Sequence, residues 1–137
     1  MNYLVETAAP ELEADAFVRG EERRGLSLAG FRGTWAVVAV GASHDEILEL
    51  AALEEAFAAN GAVVLATSAA DWHSVASAYA DTRVRFPILA GVDEGRVTLV
   101  VDPDGYVRYA GRAQTARELL ATLESVLYVS LDQRRAA

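Results

Sequence analysis

No cysteine and no lysine occur in the 137 residues, and histidine occurs only as His44 and His73. The first absence excludes disulfides, thiolate metal sites and cysteine nucleophiles. The scarcity of histidine argues against a site built mainly from imidazoles, so neither a metal nor a cofactor is expected, although counting alone leaves a hard oxygen-ligand site open. All twelve basic residues are arginine, set against twenty acidic ones, for a net charge of −8 and a pI near 4.7. Arg23–Arg24 and Arg134–Arg135 are isolated pairs. A surface of that sign repels phosphate backbones, so nucleic acid is not an expected partner, and the acidity reads first as an aid to solubility. Long apolar runs are missing too. The longest, Trp35 to Ala42, is strand-sized and far short of the ~20 residues a membrane helix needs. The opening MNYLVETAAPELEAD has neither a basic nor an apolar stretch of the kind a signal peptide carries, which makes cytoplasmic residence the expectation.

What is present fits a folded domain. Apolar residues make up 53% and charged residues 23% of the chain, a balance typical of globular proteins. One domain over 1–137 is expected, with 1–8 and 132–137 frayed. Strand-like and helix-like stretches alternate, the mark of α/β layering. Trp35–Val40, Ala62–Thr67 and Val97–Val101 are rich in β-branched residues and nearly unbroken, as strands covered on both faces should be. Asp102-Pro-Asp-Gly105 then predicts a hairpin into Tyr106–Tyr109, with proline presetting φ and glycine supplying the positive one. Ser43-His-Asp-Glu46 is a capping box. Behind it Ile47, Leu50, Leu53 and Phe57 recur at helical spacing up to Asn60-Gly61, which predicts one helix. A further helix is predicted from Asp71 to about Tyr79. Thr115-Ala-Arg-Glu118 is a second capping box, opening a helix with Leu119, Leu120, Leu123, Val126 and Leu127 on one side. Leu127–Leu131 alternates weakly, and continued helix is favoured over a strand there. Right-handed crossovers would place helices on both faces of the sheet.

The ordered set of phrases along the chain resembles the alkyl hydroperoxide reductase and thiol-specific antioxidant branch of the peroxiredoxins. Ala9-Pro-Glu-Leu12 matches that family's extended opening. Leu26–Gly33 is similar to the stretch leading into its first core strand, and Glu54–Ser68 to its second helix-to-strand passage. Phe86-Pro-Ile-Leu89 and Arg96-Val-Thr-Leu-Val-Val-Asp-Pro-Asp-Gly-Tyr-Val-Arg108 resemble two further signatures. The resemblance covers about Ala9 to Val126 and implies a thioredoxin-like α/β fold: a central mixed sheet in the order β-α-β-α-β-β-α, flanked by helices, after an N-terminal extended or hairpin segment.

The departures from that family concern function. Alignment places the peroxidatic cysteine's position near Ser43, with Glu46 and Leu50 on matching helix positions. The loop that precedes that cysteine is largely deleted, since Gly41-Ala42 leads straight to Ser43. A family helix of about ten residues is replaced by Ala90–Gly95. Arg96 matches the arginine that stands beside the cysteine in the family. Serine cannot inherit the reaction: a thiol near pKa ~8.5 can become a thiolate at a helix tip, while an alcohol is far less acidic and has no sulfenic acid to form. A hydrolytic serine needs a base in hydrogen-bond reach. His44 should point elsewhere from a helix start, and no G-x-S-x-G elbow exists. Ser43 is therefore expected to be a cap, and Arg96 an ion-pair partner of a carboxylate. Asp102-Pro-Asp-Gly105 lacks the later ligands of a calcium loop, Gly91–Gly95 lacks the ending of a phosphate loop, and Trp72 at a helix start is expected to face the sheet.

Three functions follow from these residues and the resemblance. The first is a non-catalytic binding or scaffold protein, a pseudo-enzyme, for which the resemblance implies homodimers and Leu127, Tyr128 and Val129 could cover a sheet edge. The second is cysteine-independent chemistry or anionic small-ligand binding at Ser43, Glu46 and Arg96. The third is a redox-associated role beside a cysteine-bearing partner. Thiol peroxidase and disulfide oxidoreductase activity are excluded for this chain by its composition.

Overall fold

The computed structural model describes residues 7–112 and 114–136, the side chains of 132–136 excepted. The β-branched runs form its middle. β3 (Trp35–Val40) pairs in parallel with β4 (Ala62–Thr67) and antiparallel with β6 (Val97–Val101). β5 (Ile88–Leu89) continues beyond β4, and the hairpin of β1 (Glu13–Val18) and β2 (Glu21–Ser27) extends that side. β7 (Val107–Gly111) closes the other, giving the order β2-β1-β5-β4-β3-β6-β7. The predicted hairpin at 102–105 joins β6 to β7. Its anchor is the buried Asp102, whose Oδ1 accepts from the Asp104 and Tyr106 backbone N–H groups at 3.0 Å each, while Oδ2 accepts from Arg108 Nε at 2.8 Å.

Four helices accompany the sheet among the described residues: α1 (His44–Ala52), α2 (Glu54–Ala59), α3 (Trp72–Tyr79) and α4 (Ala116–Ala136). The single helix predicted from Ser43 to Asn60 is split at Leu53, whose φ of −110° and ψ of 8° leave the helical region. Its N–H reaches back only three residues, to the Leu50 carbonyl at 3.1 Å. No proline or glycine announces that break, which lets Ile47, Leu50 and Phe57 all bury against the sheet. α4 runs through 127–131, so the favoured helix stands there. Of the terminal stretches expected to fray, 1–6 and the side chains of 132–137 lie outside the described residues. Ala8 bridges to Tyr106, and the Thr7 carbonyl accepts from Val107 N–H at 2.8 Å.

Helices on both faces were expected; the structure has them on one. Side chains from all four helices, among them Ile47, Phe57, Val75, Tyr79 and Leu123, share one core with Val37, Val64 and Val100. The alternate residues Val38, Leu65, Leu99 and Val101 face the other way and are covered by Leu12, the 3-10 turn Leu28–Phe31 and Val92. The cause is the connection from β5 to β6. It must pass the ends of β4 and β3, roughly 14 Å at the usual strand spacing, and has only residues 90–96 to do so. That stretch reaches as an extended strap and has nothing left over for a helix.

The strap is tied down along the carboxyl ends of the parallel strands. Gly91 N–H donates to the Ala70 carbonyl at 2.8 Å and Val92 N–H to the Ser68 carbonyl at 2.9 Å. At its end Gly41, with φ of +67°, lies so close to Gly95 that a Cβ there would fall on the Gly95 carbonyl. Gly61 has a similar φ of +76° but open space around it. Gly61→Ala should therefore cost about 1 kcal/mol from backbone strain alone, whereas Gly41→Ala should cost roughly 3 kcal/mol or more because overpacking is added. Urea unfolding of the two variants measures the difference.

Candidate functional site

Ser43, Glu46 and Arg96 come together from two separate stretches of sequence. Gly41 ends β3 in a left-handed conformation and turns the chain into α1. Ser43 then takes the N-cap position with extended backbone, and its Oγ accepts from Glu46 N–H at 3.2 Å. Glu46 Oε1 reaches back to accept from Ser43 N–H at 3.0 Å. The same Oε1 accepts from Arg96 Nη2, so one carboxylate joins the tip of α1 to the entrance of β6. The Glu46 side chain is 23% exposed and that of Arg96 61% exposed.

Only a small cavity lies on the inner side of Glu46, while Ser43 and Arg96 are exposed. The cavity bounded by Ala42, Glu46, Leu50, Thr98 and Gln114 holds about 10 Å³, near the lower limit for a single water. The histidines are also engaged elsewhere. The His44 ring lies 4.9 Å from that of Tyr79, and His73 stacks edge-on against Trp72 at 5.6 Å. Neither hydrogen-bonds to Ser43 among the described residues, so the hydroxyl has no base aligned with it. Burial, and secondarily the charge of Asp45, pushes the Tyr79 phenol above its ordinary value of 10.0. Trp72 packs partly against the helical core, and its buried Nε1 has no acceptor among the described residues. No group of three or more His, Asp or Glu able to hold a metal ion occurs among the described residues.

Sequence reasoning located the capping box and Arg96 but not the carboxylate they share, because that contact joins residues 50 positions apart. It also missed the contact of Tyr79 with His44, which no local pattern encodes.

A mixed sheet with β3-α1-β4 in parallel, a β6–β7 hairpin and a closing α4 defines the thioredoxin-like class of α/β proteins. Within that class the chain has the peroxiredoxin fold, and it has it without a cysteine. AhpC of Enterococcus faecalis superposes with a TM-score of 0.82 at 18% identity, over 94% of this chain and 95% of that one. The mitochondrial 2-Cys peroxiredoxin of Plasmodium falciparum follows at 0.78 and 17%, over 93% and 96% of the two chains. The reduced 2-Cys peroxiredoxin of Plasmodium vivax matches at 0.78 and 14%, over 92% and 98%. No protein-family model matches the chain, and no curated protein matches it in sequence.

The energetic weights of the cluster can be measured. Ser43→Ala removes the acceptor for an orphan helix amide and should cost about 1 kcal/mol, whereas Arg96→Gln breaks a largely exposed pair and should cost less than about 1 kcal/mol. Chemical denaturation of each variant reads both values. Asp71, the N-cap of α3, has its carboxyl held below the ordinary 3.8, chiefly by the Ser74 backbone N–H and next by the Ser74 hydroxyl. A depressed folded-state pKa contributes stability that is present above the unfolded value and lost as pH falls through the folded one. Asp71→Asn keeps a capping oxygen but cannot titrate, so its melting temperature should fall less steeply than that of the parent as pH drops below 3.8.

Proposed function

We propose that this protein is a non-catalytic member of the peroxiredoxin lineage, a binding or scaffold protein that keeps the sheet and has given up the reaction. The observation that carries the reading is the state of Ser43. By resemblance in sequence it stands near the position where peroxiredoxins hold their reactive sulfur, and its exposed hydroxyl oxygen is used to cap α1. The thiolate that the reaction requires is missing, and the hydroxyl in its place is occupied as a helix cap. A second reading, an anionic ligand held by Arg96, is favoured by the convergence of Ser43, Glu46 and Arg96. Against it stands the Glu46 carboxylate that already neutralises the guanidinium. Among the described residues no helix is long and apolar enough to cross a membrane, and the cytoplasm remains the compartment we assign.

A homodimer is the form in which we expect the protein to act. Tyr128, Val129 and Leu131 are 73%, 53% and 55% exposed on α4, a concentration of apolar surface that a second copy would cover. Leu127, grouped with them above, instead packs partly against the core.

Two measurements test this. Ser43→Cys should remove hydrogen peroxide no faster than a free thiol does, because restoring sulfur leaves Arg96 paired with Glu46; turnover by that variant at an enzymic rate would refute loss of the site. Sedimentation velocity should give a mass about twice the 14.6 kDa chain, reduced to one chain by Val129→Glu, and a monomeric parent protein would remove the dimer.

A further inference from the structure

We propose that a second place on the molecule, the cleft between the β1–β2 turn and the extended stretch after α3, binds a small polyanion for which diphosphate is the simplest fitting head group. The cleft has a volume of about 500 Å³, within the range of small-molecule sites. Its floor is apolar, made by Phe17, Tyr79 and Val84, and three guanidinium groups stand around it, those of Arg19, Arg83 and Arg85. No carboxylate lines it, although acidic residues outnumber basic ones by twenty to twelve in the chain.

Arg23, Arg24, Arg96 and Arg108 each pair with a carboxylate. Arg19, Arg83 and Arg85 make no ion pair or side-chain hydrogen bond among the described residues. Arg32, Arg112 and Arg117 also have no side-chain partner among the described residues, and what sets Arg19, Arg83 and Arg85 apart is that they line one cleft. Their placement is also systematic. Residues 83–86 alternate, with Val84 and Phe86 buried and Arg83 and Arg85 exposed, so both arginines leave the same side of an extended backbone. Arg19 approaches from the opposite wall, in the two-residue turn that joins β1 to β2.

That turn supplies a second, independent observation. Arg19 has φ of +52° and Gly20 has φ of +84°, the pair of positive angles found in a type I′ hairpin. Asparagine followed by glycine suits such a turn, and a long side chain at its first position is strained. Arg19 is the one non-glycine residue with positive φ among the described residues. A conformational cost is borne there to hold a guanidinium at the rim of the cleft.

The chemistry of the occupant follows from the count and the shape. One guanidinium can take one phosphate or carboxylate in a forked pair. Three of them, converging on one concavity and uncompensated, match a ligand with two or more adjacent anionic groups, and the apolar floor accommodates an uncharged body attached to them. Overall repulsion of anions by a chain of net charge −8 makes the local field of the cleft selective for position. The site does not depend on whether chemistry survives near Ser43, since Tyr79 stands between the cleft and the His44 ring.

Isothermal titration of the full chain with pyrophosphate tests this, with melting curves recorded for each variant to confirm folding. Saturable 1:1 binding is expected, weakened by about tenfold or more in Arg83→Gln/Arg85→Gln. Arg23→Gln/Arg24→Gln removes the same charge from the adjoining β2 and should change affinity by no more than about twofold. Arg19→Asn should bind more weakly and yet melt a few degrees higher, because it relieves the turn. Absence of saturable heat, equal weakening in the β2 variant, or tight binding of an oligoglutamate peptide with none of pyrophosphate would each overturn the assignment.

Discussion

The close approach of Gly41 to Gly95 is the contact on which the architecture turns. Strands β5 and β6 lie on opposite sides of the β4–β3 pair, and the chain between them is too short to detour. It passes directly over the carboxyl end of β3, at a distance only glycine tolerates. In α/β sheets that end is where ligands ordinarily enter. Here the strap crosses that end of the sheet, tied down through the Gly91 and Val92 N–H groups. One short connection thus leaves the second face of the sheet without an α-helix among the described residues.

The tip of α1 is held by an uncharged cap. A thiolate at an N-terminus is useful because the exposed N–H groups and the helix dipole stabilise its charge. An uncharged hydroxyl in the same place offers one of those N–H groups an acceptor, and the capping box makes that exchange reciprocal through Glu46. Arg96 is drawn into the same arrangement, its charge met by Glu46 and not by a substrate. Cap, carboxylate and guanidinium form a closed set of partners.

Much of this was legible in one dimension. The unbroken β-branched runs, both capping boxes and the Asp102–Gly105 turn appear in the structure where local chemistry put them, since each depends on residues within four or five positions. The resemblance to peroxiredoxins is reflected in a fold that superposes on theirs at 14–18% identity. What escaped was non-local. The bend at Leu53 has no proline or glycine to mark it and follows from fitting Ile47 and Phe57 to one sheet. The placement of every helix on one face follows from the length of a loop, which handedness rules do not weigh. The arginines at 19, 83 and 85 are unremarkable in sequence, and only folding brings the hairpin turn to the end of α3.

The short strap has a further thermodynamic side. Closing a loop costs entropy that grows with the logarithm of its length, so seven residues in place of some seventeen reduce that cost by about 0.8 kcal/mol. A helix in this connection would add apolar contacts but lengthen the loop that must close to bring β6 beside β3. With so short a link the chain assembles around the β3–β4 pair with its α-helices on a single face.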